Sequence, residues 1–162
     1  MSRYGVLLVA GGRTHQENYA PLFAADPRAG LIAVADEPDL PPDRARWNQT
    51  FAQSLGLPLL PLDAALARPD VHIASICVEL ERRGRVAVQA ARAGKHLFMD
   101  KPLAASVGDA RAIVQACAQA RVRSHMDTMV RSSWALGARH LVASGRLGAA
   151  PRRDDHRHRR YR

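Results

Sequence analysis

An apolar run that leads into two glycines sets the architecture of this sequence: Tyr4-Gly5-Val6-Leu7-Leu8-Val9-Ala10-Gly11-Gly12. An unbroken run of leucine and β-branched residues predicts a buried strand, and the two glycines predict a turn directly after it. Beyond the turn, Tyr19, Leu22 and Phe23 have the spacing of one helical face, and Pro21 is expected near the first turn of that helix. This part of the chain therefore predicts a strand, a glycine turn and a helix.

The same alternation continues along the sequence. Leu31–Ala35 is a second apolar run that ends in acidic residues, as a parallel strand covered on both faces should. Further strands are predicted at Leu59–Leu60, Val71–Val78, His96–Met99 and Arg121–Met126, and further helices at Asp43–Leu55, Asp63–Ala67, Glu81–Ala93, after the capping box Ser106–Asp109, and at Trp134–Ser144. Regular alternation predicts one α/β domain over residues 1–148, a doubly wound parallel sheet of the Rossmann type. The ligand crevice of such a sheet lies beyond the carboxyl ends of its strands.

Composition limits the kind of protein. A chain of 162 residues is long enough for one buried core, and many aliphatic but few aromatic residues favour an α/β protein. The two cysteines, Cys77 and Cys117, lie in apolar surroundings and are too few for a disulfide framework, which favours a reducing compartment. No apolar run approaches the roughly 20 residues that would span a bilayer. We therefore expect a cytoplasmic protein with no membrane partner.

The positive charge is concentrated near the end of the sequence. The formal net charge is +9, and residues 151–162 hold six arginines and two aspartates, which leaves +5 for the other 150 residues. With no aliphatic residue after Pro151, the Arg/His-rich tail at 149–162 is expected to be disordered and to hold no metal, and its composition favours a truncated or frameshifted reading of a longer gene. Salt-dependent binding of nucleic acid through this tail stays open as an alternative, and we expect it to be minor.

The glycine turn and the acid after the second strand are candidate cofactor contacts. Ala10, Gly11, Gly12 and Thr14 lie where a dinucleotide fold brings backbone N–H groups and a helix N-terminus to a pyrophosphate, although the G-x-G-x-x-G pattern is incomplete. An ordinary glycine-bearing turn is the alternative. Asp36 follows Gly11 by 25 positions, close to where a carboxylate accepts hydrogen bonds from the adenosine ribose.

Glu37, the next residue, adds negative charge that would repel a 2′-phosphate. The predicted cofactor is therefore NAD, with NADP less favoured. The alternative for both residues is a pair of solvated acids at the end of a strand.

Two lysines stand among 22 arginines, and both fall within Gly94–Pro102. Lys101 follows the fifth predicted strand, where partial desolvation in the crevice would lower its pKa and let it exchange a proton with a substrate hydroxyl. Asp100 beside it is expected to anchor or tune it. The alternative is a surface lysine before a turn proline.

These stretches resemble a known family. Asp70–Ile76, Ala93–Ala104 and Ala143–Gly148 are similar to segments of the nucleotide-binding half of the Gfo/Idh/MocA oxidoreductases, and the middle stretch is highly specific. The resemblance covers Gly5–Gly148, with Asp100 in place of the family's glutamate. It implies a Rossmann domain that binds NAD(P), with Lys101 in the position of the catalytic lysine.

The sequence departs from the family after the fourth strand and at its end. The family commonly has T-P-x-x-x-H there, whereas this chain has Val78-Glu79 and then Arg83, so that Glu79 and Arg83 are candidates for contact with a different, anionic substrate. Cys77, Glu79, Asp100 and Lys101 are also included among the expected cofactor contacts, and the alternative for Cys77 is a small buried apolar residue.

Family members continue into a second α/β domain that carries substrate specificity and assists the lysine. We therefore expect a fragment of low activity from an enzyme that oxidises a sugar- or polyol-like secondary alcohol, and expect any oligomer to need the other domain. The alternative is a non-catalytic dinucleotide-binding module.

Overall fold

Residues 3–128 and 140–146 are described by a computed structural model of the chain. The elements follow in the order β1 (Tyr4–Val9), α1 (Gln16–Ala25), β2 (Ala29–Asp36), α2 (Pro42–Ser54), β3 (Leu59–Pro61), α3 (Leu62–Leu66), β4 (Ile73–Ile76), α4 (Leu80–Arg92), β5 (His96–Met99), α5 (Val107–Ala120) and β6 (Ser124–Met126). The predicted alternation of strand and helix is confirmed.

The six strands form one parallel sheet in the order β3-β2-β1-β4-β5-β6. The chain moves outward from β1 to β3 and then crosses back to β4, so strand order reverses between β1 and β4. Loops that leave the carboxyl ends of these two strands diverge, and a crevice opens between them. The predicted Rossmann-type, doubly wound α/β fold is confirmed.

Successive residues of β1 point to opposite faces of the sheet, and each face has its own core. Val6 and Leu8 pack with Phe51 of α2 on one face. Leu7 and Val9 belong to the larger core on the other face, which α3, α4 and α5 help to form. Because both faces are covered, β1 is an unbroken apolar run, as the sequence indicated.

Two sequence expectations need correction. Pro21 lies in the interior of α1 and not near its first turn, because the helix begins at Gln16. Proline has no N–H, so the carbonyl of Glu17 lacks its usual intrahelical donor. β4 is shorter than the predicted Val71–Val78, since its ladder with β1 extends only over Ile73–Ile76.

A first unit of the chain ends at Asp127, and a second begins at Thr128. Within the second unit, residues 140–143 are helical, in agreement with the end of the predicted Trp134–Ser144 helix. The rest of that helix and the predicted disorder at 149–162 lie outside the described residues. None of the helices in the described ranges is long and apolar enough to cross a membrane.

Candidate functional site

A cleft of about 470 Å³ lies at the carboxyl ends of β1, β4 and β5. Its walls come from the loop after β1 at residues 13–15, from Arg44 of α2, from residues 77–79 at the end of β4, and from Asp100 at the end of β5. This is the crevice that the reversal of strand order creates. Thr14, Cys77, Glu79 and Asp100, all proposed from the sequence, are therefore brought together.

The two glycines after β1 are required by close packing against α2. A Cβ at Gly11 would lie 2.6 Å from Phe51 Cδ1, and one at Gly12 would lie 2.8 Å from the carbonyl oxygen of Trp47. The left-handed backbone positions in this loop belong to Ala10, with φ of 63°, and to Arg13, with φ of 58°. Small residues at 11 and 12 thus let the loop approach the helix.

The loop's own polar groups are largely used within the protein. The Gly11 N–H donates to Asn48 Oδ1 at 2.8 Å, so this amide already has an acceptor. The Thr14 hydroxyl donates to the Gly11 carbonyl at 2.6 Å and accepts from the N–H of Gln16 at 3.1 Å. Thr14 therefore closes the loop and accepts from the first N–H of α1, at the helix end where the dipole favours an anion.

Two arginines give the cleft a cationic wall beside that helix start. Arg44 donates to the Gly12 carbonyl at 2.7 Å and pairs with Glu79. Its Nε is buried and has no hydrogen-bond partner within the described chain. The guanidinium groups of Arg13 and Arg44 lie 4.7 and 5.1 Å from the centre of the Trp47 ring. An orphaned guanidinium donor beside a helix N-terminus fits a phosphate oxygen.

Asp36 ends β2 as predicted, but its carboxylate is enclosed by protein donors. Oδ1 accepts from Arg82 Nη1 at 2.8 Å and from the Glu37 N–H at 2.9 Å. Oδ2 accepts from Asn48 Nδ2 at 2.8 Å and lies 3.4 Å from Arg82 Nη2. The expected free acid at the ribose position is instead the partner of an arginine.

Arg82 joins Asp36 to two further carboxylates, those of Glu37 and Glu79. Burial would raise the pKa of Glu37, but hydrogen bonds from Arg85 and Arg82 outweigh it, and the pKa is lowered. The pKa of Glu79 is lowered in the same way, against burial, chiefly by the hydrogen bond from Arg82. Glu37 and Glu79 are therefore held as carboxylates, and all three acids are paired with arginines.

A second polar cluster lies at the end of β5 and consists of His15, Tyr19, Asp100 and Asp127. Asp100 Oδ1 accepts from His15 Nδ1 and from the Tyr19 hydroxyl, both at 2.9 Å. The same hydroxyl lies 3.0 Å from Asp127 Oδ2. Burial, followed by hydrogen bonds and charge from the two aspartates, raises the pKa of Tyr19, so its proton is retained. This Asp100 cluster can hold and pass protons at the edge of the cleft.

The expectation that Lys101 is partly desolvated is wrong, because this side chain is exposed. Its backbone position is set by Arg83, which is buried and donates to the carbonyl of Asp100 at 3.0 Å and to that of Pro102. Arg83 also donates to the carbonyl of Val78 at 2.9 Å. The Arg83 guanidinium thus links the end of β5 to the start of α4. Its donors are already used by these main-chain carbonyls.

Lys95 and Cys77 are both held by hydrogen bonds within the protein. Lys95 is buried and donates to the carbonyls of Arg68 and Val71 at 2.8 and 2.9 Å, at the amino end of β4 and away from the cleft. Burial, first of all, raises the pKa of the Cys77 thiol, which donates to Gln16 Oε1 at 2.8 Å. A thiol that stays protonated is a poor nucleophile.

Sequence reasoning missed His15, Tyr19, Arg44, Asn48 and Arg82, which contribute much of the site's polar chemistry. All but His15 lie within helices, where polar residues usually face solvent. The available signal was spacing: His15 and Tyr19 are four residues apart, as are Arg44 and Asn48, so each pair shares one helical face. In the part of the chain that the structure describes, no three His, Cys, Asp or Glu residues are arranged to hold a metal ion.

Comparison with known proteins agrees with this geometry. The family model for the NAD-binding Rossmann fold of the Gfo/Idh/MocA oxidoreductases matches residues 4–128. No curated protein matches the chain significantly.

Solved structures of similar fold are longer than this chain. GenD2 from gentamicin A biosynthesis, in complex with NAD, is 27% identical with a TM-score of 0.77, and the match covers 90% of this chain and 40% of GenD2. An oxidoreductase domain protein from Kribbella flavida is 26% identical with a TM-score of 0.72, over 91% and 41% of the two chains. Biliverdin reductase from Synechocystis, in complex with biliverdin and NADP+, shares the fold at 19% identity and a TM-score of 0.73, over 86% and 42%. The chain spans about two fifths of the length of each.

Proposed function

Because the chain belongs to the Gfo/Idh/MocA oxidoreductase family, with an NAD(P)-binding Rossmann domain, we propose that it is the nucleotide-binding part of an NAD(P)-dependent dehydrogenase acting on a sugar- or polyol-like secondary alcohol. The observation that carries the proposal is the cleft at the carboxyl ends of β1, β4 and β5, with a cationic wall at one side and the Asp100 cluster at the other. Its residues suit two parts of a dinucleotide, the diphosphate at its centre and the reacting nicotinamide ring at one end. The buried free thiols of Cys77 and Cys117 support a reducing, cytoplasmic location.

The basic residues of the cleft suit the diphosphate of the cofactor. Arg13 and Arg44, with the N-terminus of α1, would neutralise the diphosphate, and the orphaned Arg44 Nε supplies a donor that needs an acceptor. Asp36 follows β2, where the carboxylate that contacts the adenosine ribose is expected, and Arg82 is paired with it here. When bound, NAD supplies the nicotinamide carbon that receives hydride from the alcohol carbon.

Two groups near the end of β5 suit the other half of the reaction, removal of the hydroxyl proton. The family resemblance assigns this proton to Lys101, whose exposed ammonium must lose a proton before it can accept one. His15 is the second group, because Asp100 accepts from its Nδ1, holds the ring and stabilises the imidazolium that forms when Nε2 takes a proton. With either base, the alcohol is oxidised to a carbonyl compound by loss of one hydride and one proton.

A second function, a non-catalytic dinucleotide-binding module, is favoured by the exposure of Lys101, which lies open to solvent. Hydride transfer benefits from a preorganised site that excludes water, so the chain is proposed to turn over slowly.

Titration calorimetry of the purified chain with NAD and NADP, followed by assays across a panel of polyols, tests both functions. Dehydrogenase activity that is lost in Lys101→Ala or His15→Ala, with cofactor affinity retained, supports the enzyme and identifies its base. Binding with no turnover supports the module. If neither dinucleotide binds, both functions are rejected.

A further inference from the structure

Arg82 stands directly beside the acid that would receive the adenosine ribose of the proposed cofactor. Its Nη1 lies 2.8 Å from Asp36 Oδ1 and its Nη2 lies 3.4 Å from Oδ2. The Arg82 side chain is 15% exposed and the Asp36 side chain 3% exposed. A group in contact with this carboxylate is within reach of whatever the ribose carries on its 2′-oxygen.

The Asp36 carboxylate has no acceptor position left for a ribose diol. A carboxylate offers about four lone-pair positions, two on each oxygen. Here Oδ1 serves Arg82 and the Glu37 N–H, and Oδ2 serves Asn48 and, at longer distance, Arg82. Of these donors, Asn48 and the main chain are fixed in α2 and β2, so the side chain of Arg82 is the one that a ribose must displace.

The negative charge expected to repel a 2′-phosphate is also compensated. Glu37 Oε1 and Oε2 accept from Arg85 at 2.9 and 2.8 Å, and Oε2 also accepts from Arg82 at 2.7 Å. Glu79 pairs with Arg82 and with Arg44. The carboxylates of Asp36, Glu37 and Glu79 thus meet three guanidinium groups, and their formal charges cancel.

We propose that Arg82 sets the choice between NAD and NADP by masking Asp36 from an unmodified ribose and, together with Arg85, binding the phosphate of a 2′-phosphorylated one. The inference rests on the proposed function, since it assumes that a dinucleotide occupies the cleft. A guanidinium fork suits a phosphate because two N–H groups can donate in parallel to two oxygens. The chain then binds NADP at least as tightly as NAD, contrary to what Asp36 and Glu37 indicate by themselves.

Equilibrium titrations of the full chain with NAD, NADP, 5′-AMP and 2′-AMP test this. In Arg82→Leu, the ratio of the NADP to the NAD dissociation constant should rise about tenfold or more, and 2′-AMP should lose affinity relative to 5′-AMP. Arg82→Lys keeps the charge beside Asp36 but loses the fork, so it should fold as wild type and still shift the ratio in the same direction.

Arg92→Leu is the matched control, because Arg92 is exposed in the last turn of the same helix and its loss removes the same charge. Circular dichroism and thermal unfolding establish that each variant is folded. An unchanged ratio in folded Arg82→Lys, or an equal shift in Arg92→Leu, overturns the inference while the proposed function stands. Failure of the wild type to bind any of the four ligands rejects the proposed function and the inference with it.

Discussion

Tyr19 places one hydroxyl proton between two carboxylates. Its oxygen lies 2.9 Å from Asp100 and 3.0 Å from Asp127, and a hydroxyl donates a single proton. The two acids therefore share it, and Asp100 gains a second donor from His15. Removing the hydroxyl leaves two acceptors close together with too few donors.

Tyr19→Phe should accordingly lower the free energy of unfolding by about 1–3 kcal/mol, the usual cost of leaving a buried polar group without its partner. Chemical denaturation measures it. Tyr4→Phe is the control, since Tyr4 is exposed and its hydroxyl has no hydrogen-bond partner in the described residues, so its stability should stay within about 0.5 kcal/mol of wild type. Equal losses in both variants would contradict the role given to Tyr19.

The two lysines should differ in what their loss affects. Lys95→Met takes the donor from two main-chain carbonyls, so we expect a loss of about 1–3 kcal/mol in the free energy of unfolding. Lys101→Met removes an exposed side chain, and its stability should change by less than about 0.5 kcal/mol. Denaturant unfolding of both variants measures these changes. A loss of unfolding free energy in Lys101→Met as large as that in Lys95→Met would be inconsistent with the structure.

Among the elements, β1 depends on a close approach at Gly5. A Cβ at this position would lie 1.8 Å from the carbonyl oxygen of Asp70, and a backbone atom cannot move aside as a side chain can. Gly30, its partner on β2, has no atom nearer than Arg3 Cδ at 4.0 Å. Two paired glycines in one sheet thus stand in opposite steric situations.

Gly5→Ala should therefore cost about 3 kcal/mol or more of unfolding free energy. Gly30→Ala should be neutral or should gain up to about 1 kcal/mol, because alanine loses less conformational entropy than glycine when a strand forms. Thermal unfolding of the two variants gives the comparison. A tolerated Gly5→Ala would show that β1 and the segment at Asp70 are farther apart than described.

The ion cluster that joins the start of α4 to the end of β2 predicts acid sensitivity. The pKa values of Glu37 and Glu79 are lowered in the folded state, so their contribution to stability is complete above the unfolded value of about 4.5 and is lost as the pH falls through the folded values. The melting temperature should fall below about pH 4.5. The double variant Glu37→Gln/Glu79→Gln should show a shallower decline between pH 5 and pH 3.

Glu81→Gln serves as the control for that series, because Glu81 is exposed in the same first turn of α4. It should follow the wild-type profile. If the double variant and wild type decline in parallel, the cluster does not contribute to stability at neutral pH.

For the molecule as a whole, cofactor binding should appear as stabilisation. A ligand that binds only the folded chain, at about 100 times its dissociation constant, adds about 2.7 kcal/mol, which corresponds to a rise of roughly 5–10 °C in melting temperature for a chain of this size. Differential scanning fluorimetry with NAD, NADP and free nicotinamide measures it, and nicotinamide should have little effect because it lacks the diphosphate. The same rise with nicotinamide would show that the cationic wall does not contribute to binding.

Most of the architecture was predictable because it depends on local patterns. The apolar runs of β1 and β2 and the helix stop at Gly94 are readable from spacing, and the family resemblance in Ala93–Ala104 is confirmed by the match over residues 4–128. The start of α1 was not predictable from spacing, and the side chain of its first residue, Gln16, donates to the Ser75 carbonyl of β4. That contact joins residues 59 positions apart.

The sequence by itself determined the alternation of strands and helices, the family, and the positions of Asp36 and Asp100 at strand ends. It could do so because chain periodicity and short motifs are local properties. Only the tertiary structure decided which charges meet. Arg82 reaches Asp36 across 46 positions, and His15 reaches Asp100 across 85. Asp36, which the sequence presents as a free acid for the ribose, is therefore paired with Arg82 in the structure. The energy of a charge depends on its neighbours in space and not on its neighbours in the chain.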